Sequence, residues 1–244
     1  MFSILVKPIG PVCNLACEYC FYLEKDQLYP SEKDFRMSEE TLEQLIKQYI
    51  STQSGPVVTF AWQGGEPTLL GIDFFRKALQ LQKQHLPQGW QVQNVIQTNG
   101  TLLNDQWCEF FKQHGFLVGL SLDGPSEYHD VFRKDKMGQA SFAKVMEGLA
   151  LLQDYQVEYN ILCSVNAVNV QHPIALYQFF RDQKVRYLQF IPIVEFLPNG
   201  EVSHRSVSGA DYGRFLTHVF GQWIKDGLGE ISIQIFEECF SVWS

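Results

Sequence analysis

The sequence has few positively charged residues for its length, and this shortage limits the partners that we expect. It contains 19 Lys and Arg against 27 Asp and Glu, which gives a formal net charge of −8 at pH 7. An excess of negative charge opposes non-specific attraction to nucleic acid and to anionic membrane surfaces. We therefore expect neither a nucleic-acid partner nor a membrane partner.

Long apolar stretches are also missing. No uninterrupted apolar run approaches the roughly 18 residues expected of a membrane span. The apolar run over residues 1–6 stops at Lys7 and Pro8, which is too short for the apolar region of a signal peptide. We therefore expect a cytoplasmic protein, in a compartment where thiols stay reduced.

Several common kinds of site have no support in the sequence. The six histidines form no HxH or HxxxH pair, and the chain has no second CxxC that would complete a zinc knuckle. Six cysteines in 244 residues, without a secretory segment, do not indicate a disulfide framework. Neither a GxSxG elbow nor a Walker GK[ST] loop occurs, so serine-hydrolase and P-loop functions have no support.

Three of the six cysteines stand together near the beginning of the chain, at Cys13, Cys17 and Cys20. Thiolates hold iron–sulfur clusters, and a [4Fe–4S] cluster normally takes four protein cysteines. Three cysteines without a fourth nearby would leave one iron with an open coordination position, which is typical of a site that performs chemistry. Taken alone, the CxxxCxxC spacing leaves other uses of the three thiols open.

Four further motifs follow in a fixed order along the chain. They are Trp62-Gln63-Gly64-Gly65-Glu66-Pro67-Thr68, Gln97-Thr98-Asn99-Gly100, Ser121-Leu122-Asp123-Gly124-Pro125 and Phe132-Arg133-Lys134-Asp135. Together with the cysteine motif, this series resembles the radical SAM superfamily. It is most similar to the anaerobic sulfatase-maturating enzymes, a branch of the SPASM-containing radical SAM proteins, and the resemblance extends over essentially the whole chain.

The resemblance implies a cofactor pair and a reaction. Cys13, Cys17 and Cys20 would ligate three irons of a [4Fe–4S] cluster, and S-adenosylmethionine (SAM) would chelate the fourth iron through its amino and carboxylate groups. Reductive cleavage of SAM would give a 5′-deoxyadenosyl radical. In this branch the partners are a sulfatase polypeptide, whose Cys or Ser is oxidised to Cα-formylglycine, and an electron donor such as flavodoxin or ferredoxin.

Two alternatives stay open at this point. The chain could belong to another peptide-modifying SPASM enzyme, one that forms thioethers or cross-links. It could also be an inactive, truncated fragment that only binds SAM or a partner.

The resemblance also implies a set of SAM contacts, namely Tyr19, Gly64, Gly65, Glu66, Ser121, Arg133 and Val194. We expect Ser121 to meet the ribose, and Arg133 to pair with the SAM carboxylate as a bidentate donor. Simpler interpretations compete with these roles, because Gly-Gly-Glu-Pro also suits a turn that ends a strand, and Arg133 could be a surface charge.

Three more polar residues, Gln97, Asn99 and Asp123, are candidates for the lining of the same pocket. Asn-Gly and Asp-Gly are also favoured turn dipeptides, so a turn role and a pocket role are equally supported. The remaining cysteines, Cys108, Cys163 and Cys239, stand singly and are expected to pack as small apolar residues.

Short β-rich runs alternate with amphipathic helical stretches along the chain. Strands are predicted at residues 2–7, 57–62, 92–97, 116–122, 157–165 and 185–193, and helices at 39–50, 74–85, 105–114, 141–155, 173–182 and 210–225. Strict alternation predicts a parallel sheet with right-handed crossovers. Six units, against the eight of a closed barrel, predict an α/β fold of the partial (β/α)6 TIM-like type found in radical SAM enzymes.

The predicted strands also locate the motifs. The cysteine motif and the motifs at Gly65, Asn99 and Asp123 all follow directly after a strand. The carboxyl ends of parallel strands form the rim where ligands bind, so the sequence predicts a single site.

The end of the chain departs from the family pattern. We assign residues 1–230 to the barrel, and we expect residues 231–244 to begin a C-terminal SPASM-like region with a β-rich element over 231–236. In the relatives that region holds two auxiliary clusters and the proposed aspartate base. No catalytic residue is therefore identified here, since the base would lie beyond Ser244. Glu237 and Glu238 lie upstream of its place.

Overall fold

A computed structural model of the chain describes residues 2–23, 25–29, 31, 34–197, 199–227 and 229–243. The strands are β1 (Ile4–Val6), β2 (Val57–Trp62), β3 (Gln91–Thr98), β4 (Leu117–Ser121), β5 (Tyr159–Val165), β6 (Tyr187–Pro192) and β7 (Ser232–Ile233). The helices are α1 (Glu39–Ser51), α2 (Ile72–His85), α3 (Asp105–His114), α4 (Ser126–Phe132), α5 (Phe142–Asp154), α6 (Pro173–Asp182), α7 (Gly209–Asp226) and α8 (Gln234–Trp243).

The seven strands form one sheet in chain order, and every neighbouring pair is parallel. In the part of the chain that the structure describes, β1 and β7 are the two edges, so the sheet does not close. The predicted α/β fold with a partial barrel is therefore confirmed, and it has one strand more than the six predicted.

Helices α1 and α3 begin where the sequence predicts, and each follows a polar residue whose side chain caps the first turn. The side chains of Ser38 and Asn104 accept the backbone N–H of Thr41 and Trp107, at 3.1 and 3.0 Å. Each bond satisfies a donor that the first turn of a helix leaves without an intrahelical partner. The predicted bounds of β2, α3 and α6 are confirmed to the residue.

The sheet buries one face under the helices. On β2, Phe60 and Trp62 are buried, and the Trp62 ring lies 5.7 Å from the ring of Phe75 on α2. Thr59 and Ala61 point to the opposite face and are only partly buried. Because side chains alternate along a strand, the apolar core lies between sheet and helices, and the inner face of the barrel is left for smaller and polar side chains.

The structure corrects two predictions of secondary structure. Helix α4 was not predicted, because its seven residues show too short an apolar repeat. The β-rich element expected over 231–236 is only the two-residue strand β7, and helix α8 begins at Gln234. Phe236 is buried on α8 with its ring 5.1 Å from that of Phe220 on α7, so helix packing overrides the alternation of isoleucines before it.

The boundary at residue 230 stays a prediction, and Met1 and Ser244, which bound the two predicted units, lie outside the described residues. Cys108 and Cys163 are buried as expected, whereas Cys239 is exposed on α8, so the packing role predicted for it is wrong. Among the described helices, none has both the length and the apolar character needed to span a bilayer.

Candidate metal and cofactor site

The cysteine loop (residues 12–22) follows β1 and is held on one side by the exit of β2. The backbone N–H groups of Gly65 and Glu66 donate to the carbonyls of Gly10 and Val12, both at 2.8 Å. A Cβ at position 65 would lie 1.9 Å from the Val12 oxygen, so only glycine fits there. The Gly-Gly pair is therefore required first of all by the close approach of the loop's own backbone.

The segment after α4 holds the other side of the loop. The N–H groups of Ala16 and Glu18 donate to the carbonyls of Lys134 and Phe132, at 2.8 and 2.9 Å. Two motifs that are far apart in sequence thus hold this part of the chain, one just before Cys13 and the other between Cys13 and Cys20. The three thiols are carried by a loop whose shape depends on backbone bonds from both sides.

The three cysteines differ in their exposure. Cys17 is buried, while Cys13 and Cys20 are half-buried and line a cavity of about 660 Å³. Burial raises the pKa of Cys13 to about 11 and also raises the pKa of Cys17. Both are therefore thiols at neutral pH, and ligation of a metal as thiolates would release their protons.

The donor set fits a cluster with one open iron. No three of the described His, Cys, Asp and Glu side chains converge on one position where a single ion could be held. In a [4Fe–4S] cluster each iron takes its own thiolate, so the ligands need not meet at a point. The other cysteines lie in the core or on α8, which leaves three thiols on this loop.

Glu66 follows β2, and its side chain forms hydrogen bonds with residues at the carboxyl ends of β2 and β3. Its side chain is only 1% exposed, and Oε1 accepts from Thr68 Oγ1 at 2.6 Å and Thr98 Oγ1 at 2.7 Å. Oε2 accepts from the backbone N–H of Asn99 at 2.7 Å. Burial raises the pKa of Glu66, and these donors act in the opposite sense. The carboxylate is thus engaged by donors of the chain itself, and its predicted contact with SAM stays a prediction.

Arg133 is not a surface charge, since only 8% of it is exposed. Its Nε and an NH2 group donate to the two carboxylate oxygens of Asp123 at 2.8 and 3.2 Å. The Tyr19 hydroxyl donates to the same carboxylate, and the guanidinium lies 5.5 Å from the Tyr19 ring centre. In this structure the guanidinium is therefore bound to Asp123, and its predicted pairing with a SAM carboxylate stays a prediction.

The remaining predicted residues also lie at the carboxyl rim. The side-chain amide of Gln97, near the end of β3, donates to Ser121 Oγ at the end of β4, at 2.9 Å. Val194 follows two residues after β6 and is 59% exposed. Asn14 and Thr101 are not among the predicted residues. Their side chains bond to each other at 2.8 Å across 87 positions, and no local signal in the sequence marks such a pair.

Comparisons with known proteins agree with this geometry. The model of the Radical SAM superfamily matches residues 8–180. A serine-type anaerobic sulfatase-maturating enzyme of Bacteroides thetaiotaomicron is 44% identical over 98% of this chain and 61% of its own length. A cysteine-type enzyme of Clostridium novyi is 40% identical over 98% of this chain and 65% of its own.

A solved structure, "Native anSMEcpe with bound AdoMet and Kp18Cys peptide", superimposes with a TM-score of 0.87 at 38% identity. The match covers 96% of this chain and 64% of the other. The chain thus spans somewhat less than two thirds of the length of these relatives.

Proposed function

The chain belongs to the radical SAM superfamily, and we propose that it binds a [4Fe–4S] cluster through Cys13, Cys17 and Cys20, with SAM at the iron left open. The observation that carries this proposal is the cysteine loop, which presents three thiols and is fixed by backbone bonds to the Gly65 and Lys134 segments. When both are bound, the pair supplies radical chemistry, in which one electron cleaves SAM and the resulting radical removes a hydrogen atom from the substrate.

The side chains around the loop support a pocket for SAM. The proposed contacts are Tyr19, Gly64, Gly65, Glu66, Ser121, Arg133 and Val194. Arg133 is a buried cation, held in place by its pair with Asp123, and charge-assisted hydrogen bonds from such a group are strong. The chain's part is to bind and orient SAM and to keep water away from the reacting atoms.

We propose further that the protein carrying this chain matures sulfatases, oxidising a Cys or Ser of a sulfatase polypeptide to Cα-formylglycine. The identity to relatives named for this activity, at 40–44% over nearly all of the chain, supports the assignment. Since the relatives are longer, the activity is assigned to the whole protein. The electron would come from a small redox protein such as flavodoxin or ferredoxin.

Counting iron tests the cluster proposal. After anaerobic reconstitution, roughly four irons and four sulfides per chain are expected. The triple variant Cys13→Ala/Cys17→Ala/Cys20→Ala should bind almost none. Cys239→Ser is the matched control, because this thiol is exposed on α8, and it should keep the full content. Iron that persists in the triple variant, or that is lost with Cys239, would refute the assignment.

The substrate proposal needs the full-length protein and two peptides, one with a CxPxR segment and one with an SxAxR segment. We expect an aldehyde on the peptide together with 5′-deoxyadenosine. Deoxyadenosine without aldehyde would reject the sulfatase assignment and leave the SAM proposal standing. A thioether or cross-link formed in another peptide would favour the alternative peptide-modifying activity.

A further inference from the structure

Asn99 lies against one of the three cysteines. Its side-chain Nδ2 is 3.6 Å from Cys13 Sγ and donates to it, and the backbone N–H of Leu15 donates to the same sulfur at 3.4 Å. Asn99 is buried, with 8% of its surface exposed. Two N–H groups from different parts of the chain are thus directed at a sulfur that we propose as a cluster ligand.

The hydrogen bonds around Asn99 decide which end of its amide faces the sulfur. Its Oδ1 accepts from the backbone N–H and the hydroxyl of Thr101, at 3.0 and 2.7 Å. Its Nδ2 also donates to Asn14 Oδ1 at 2.9 Å. A reversed amide would place its NH2 group against the Thr101 N–H, so the donor end must point towards Cys13.

The backbone at Asn99 is held as well. Glu66 Oε2 accepts the Asn99 N–H at 2.7 Å, and Glu66 Oε1 accepts the Thr98 hydroxyl at 2.7 Å. A side chain whose backbone and amide oxygen are both fixed loses little further freedom when it donates to a ligand. The Asn99 amide is therefore preorganised before any cluster is present.

We infer that Asn99 sets the reduction potential of the proposed cluster by donating to the Cys13 thiolate. The inference rests on the proposed function, since it needs the cluster at this loop. Reduction adds negative charge to a cluster and its sulfurs, and hydrogen bonds to the sulfurs stabilise that charge. The Asn99 donor therefore raises the potential and eases the electron transfer that precedes SAM cleavage.

Two substitutions separate this role from a structural one. Asn99→Ala removes the donor and the amide oxygen together. Asn99→Asp keeps an oxygen to accept from Thr101 but places a carboxylate oxygen against the sulfur. At pH 8, in EPR-monitored redox titrations of the reconstituted chain, we expect the wild type to have the highest potential, Asn99→Ala a lower one and Asn99→Asp the lowest.

Asn104→Asp provides the matched control. It adds the same charge only five positions along the chain, where the side chain caps α3 by accepting the Trp107 N–H at 3.0 Å. Aspartate caps a helix as well as asparagine does. We expect its potential to equal that of the wild type.

A merely structural role for Asn99 predicts a different pattern. Asn99→Ala would then keep the wild-type potential and lower only the thermal stability. That result overturns the inference whatever the potential of Asn99→Asp, because the added carboxylate lowers the potential by its charge alone. If Asn99→Ala does not fold, Asn99→Leu, which has a similar size and also lacks the donor, takes its place. If the wild-type chain assembles no cluster, the proposed function itself is refuted. Failure of the proposed function and failure of the inference about Asn99 therefore give different results.

Discussion

Among single residues, Gly65 shows how strictly the cysteine loop depends on its neighbours. The atom that a Cβ would meet is a backbone oxygen, at 1.9 Å, which cannot rotate away as a side chain can. Gly65→Ala should therefore lower the free energy of unfolding by about 1–3 kcal/mol through overpacking. It should also reduce the iron content after reconstitution. Thermal unfolding and iron analysis measure the two effects.

Gly213→Ala is the control for this prediction. Gly213 lies within α7, and a Cβ there would meet no heavy atom within 4 Å apart from the adjoining backbone of its own helix. Alanine has a higher propensity for a helix interior than glycine has, so the midpoint of thermal unfolding should stay the same or rise. Equal losses in the two variants would contradict the role assigned to the Gly65 contact.

His129 is a second residue whose environment predicts a measurable effect, here on the pH dependence of stability. Its ring is fully buried and neutral. Its Nδ1 accepts the Asp123 N–H at 3.2 Å, and its Nε2 lies 3.1 Å from Ser141 Oγ, whose own proton goes to the Arg133 carbonyl. The ring must therefore carry its proton on Nε2. Burial lowers the pKa of His129 to about 4, because the charged form loses its hydration.

The sign of the pH effect follows from this lowered pKa. The unfolded chain takes up the proton near pH 6.5, before the folded one, so the stabilisation is complete above pH 6.5 and is lost as the pH falls towards 4. The loss attributable to this group is about 3 kcal/mol. Denaturant unfolding at pH 7 and pH 4 should show a smaller decline in His129→Gln than in the wild type. Equal declines would refute the assignment.

Among the elements, the pair of Asp123 and Arg133 joins β4, α4, β5 and the cysteine loop. The Asp123 carboxylate accepts hydrogen bonds from Arg133 and Tyr19. It also accepts one from the backbone N–H of Ser164 on β5, at 2.9 Å. Removing one member of a buried ion pair leaves the other charge uncompensated, which typically costs about 3–5 kcal/mol. Asp123→Asn should show a loss of this size in urea unfolding.

Two further variants make this prediction specific. Asp123→Asn combined with Arg133→Met should recover part of the stability, because the stranded charge is then gone. Arg76→Met disrupts the exposed pair of Asp73 and Arg76 on α2 and should change little. A loss at Arg76 as large as that at Asp123 would show that burial does not control the effect.

The sequence predicts the elements better than it predicts their contacts. The predicted bounds of β2, α3 and α6 agree with the structure to the residue, and local features mark two of these elements, since Asn104 caps α3 and Pro173 opens α6. Helix α4 could not be predicted, because its seven residues are too few to show a helical repeat of apolar positions. The isoleucines at 231, 233 and 235 imitate a strand, and only the packing of Phe236 on α7 shows that a helix begins there.

For the site, the sequence likewise predicts where the motifs meet but not which side chains contact each other. Parallel strands collect their carboxyl ends at one rim, so the motifs could be brought together from topology alone. Which side chains meet there depends on packing between distant residues. Tyr19 bonds to Asp123 across 104 positions, and Asn99 contacts Cys13 across 86. No pattern within a motif indicates such pairs, so the engagement of Arg133 and Glu66 by the chain's own groups was not foreseen.

For the whole molecule, the site depends on most of the chain at once. The proposed ligands and contacts extend from Cys13 to Val194, and an uninterrupted series of parallel pairings from β1 to β6 brings them to one rim. The Radical SAM model covers residues 8–180 of this series. We therefore propose that this arrangement holds a cluster with one iron open to SAM.

EPR of the reduced, reconstituted chain with and without SAM tests that claim most directly. If SAM occupies the iron left open by Cys13, Cys17 and Cys20, its addition should change the spectrum of the reduced cluster. The change should disappear when SAM is replaced by adenosine, which lacks the amino and carboxylate groups proposed to chelate the iron. A cluster whose spectrum is the same with and without SAM would contradict the account.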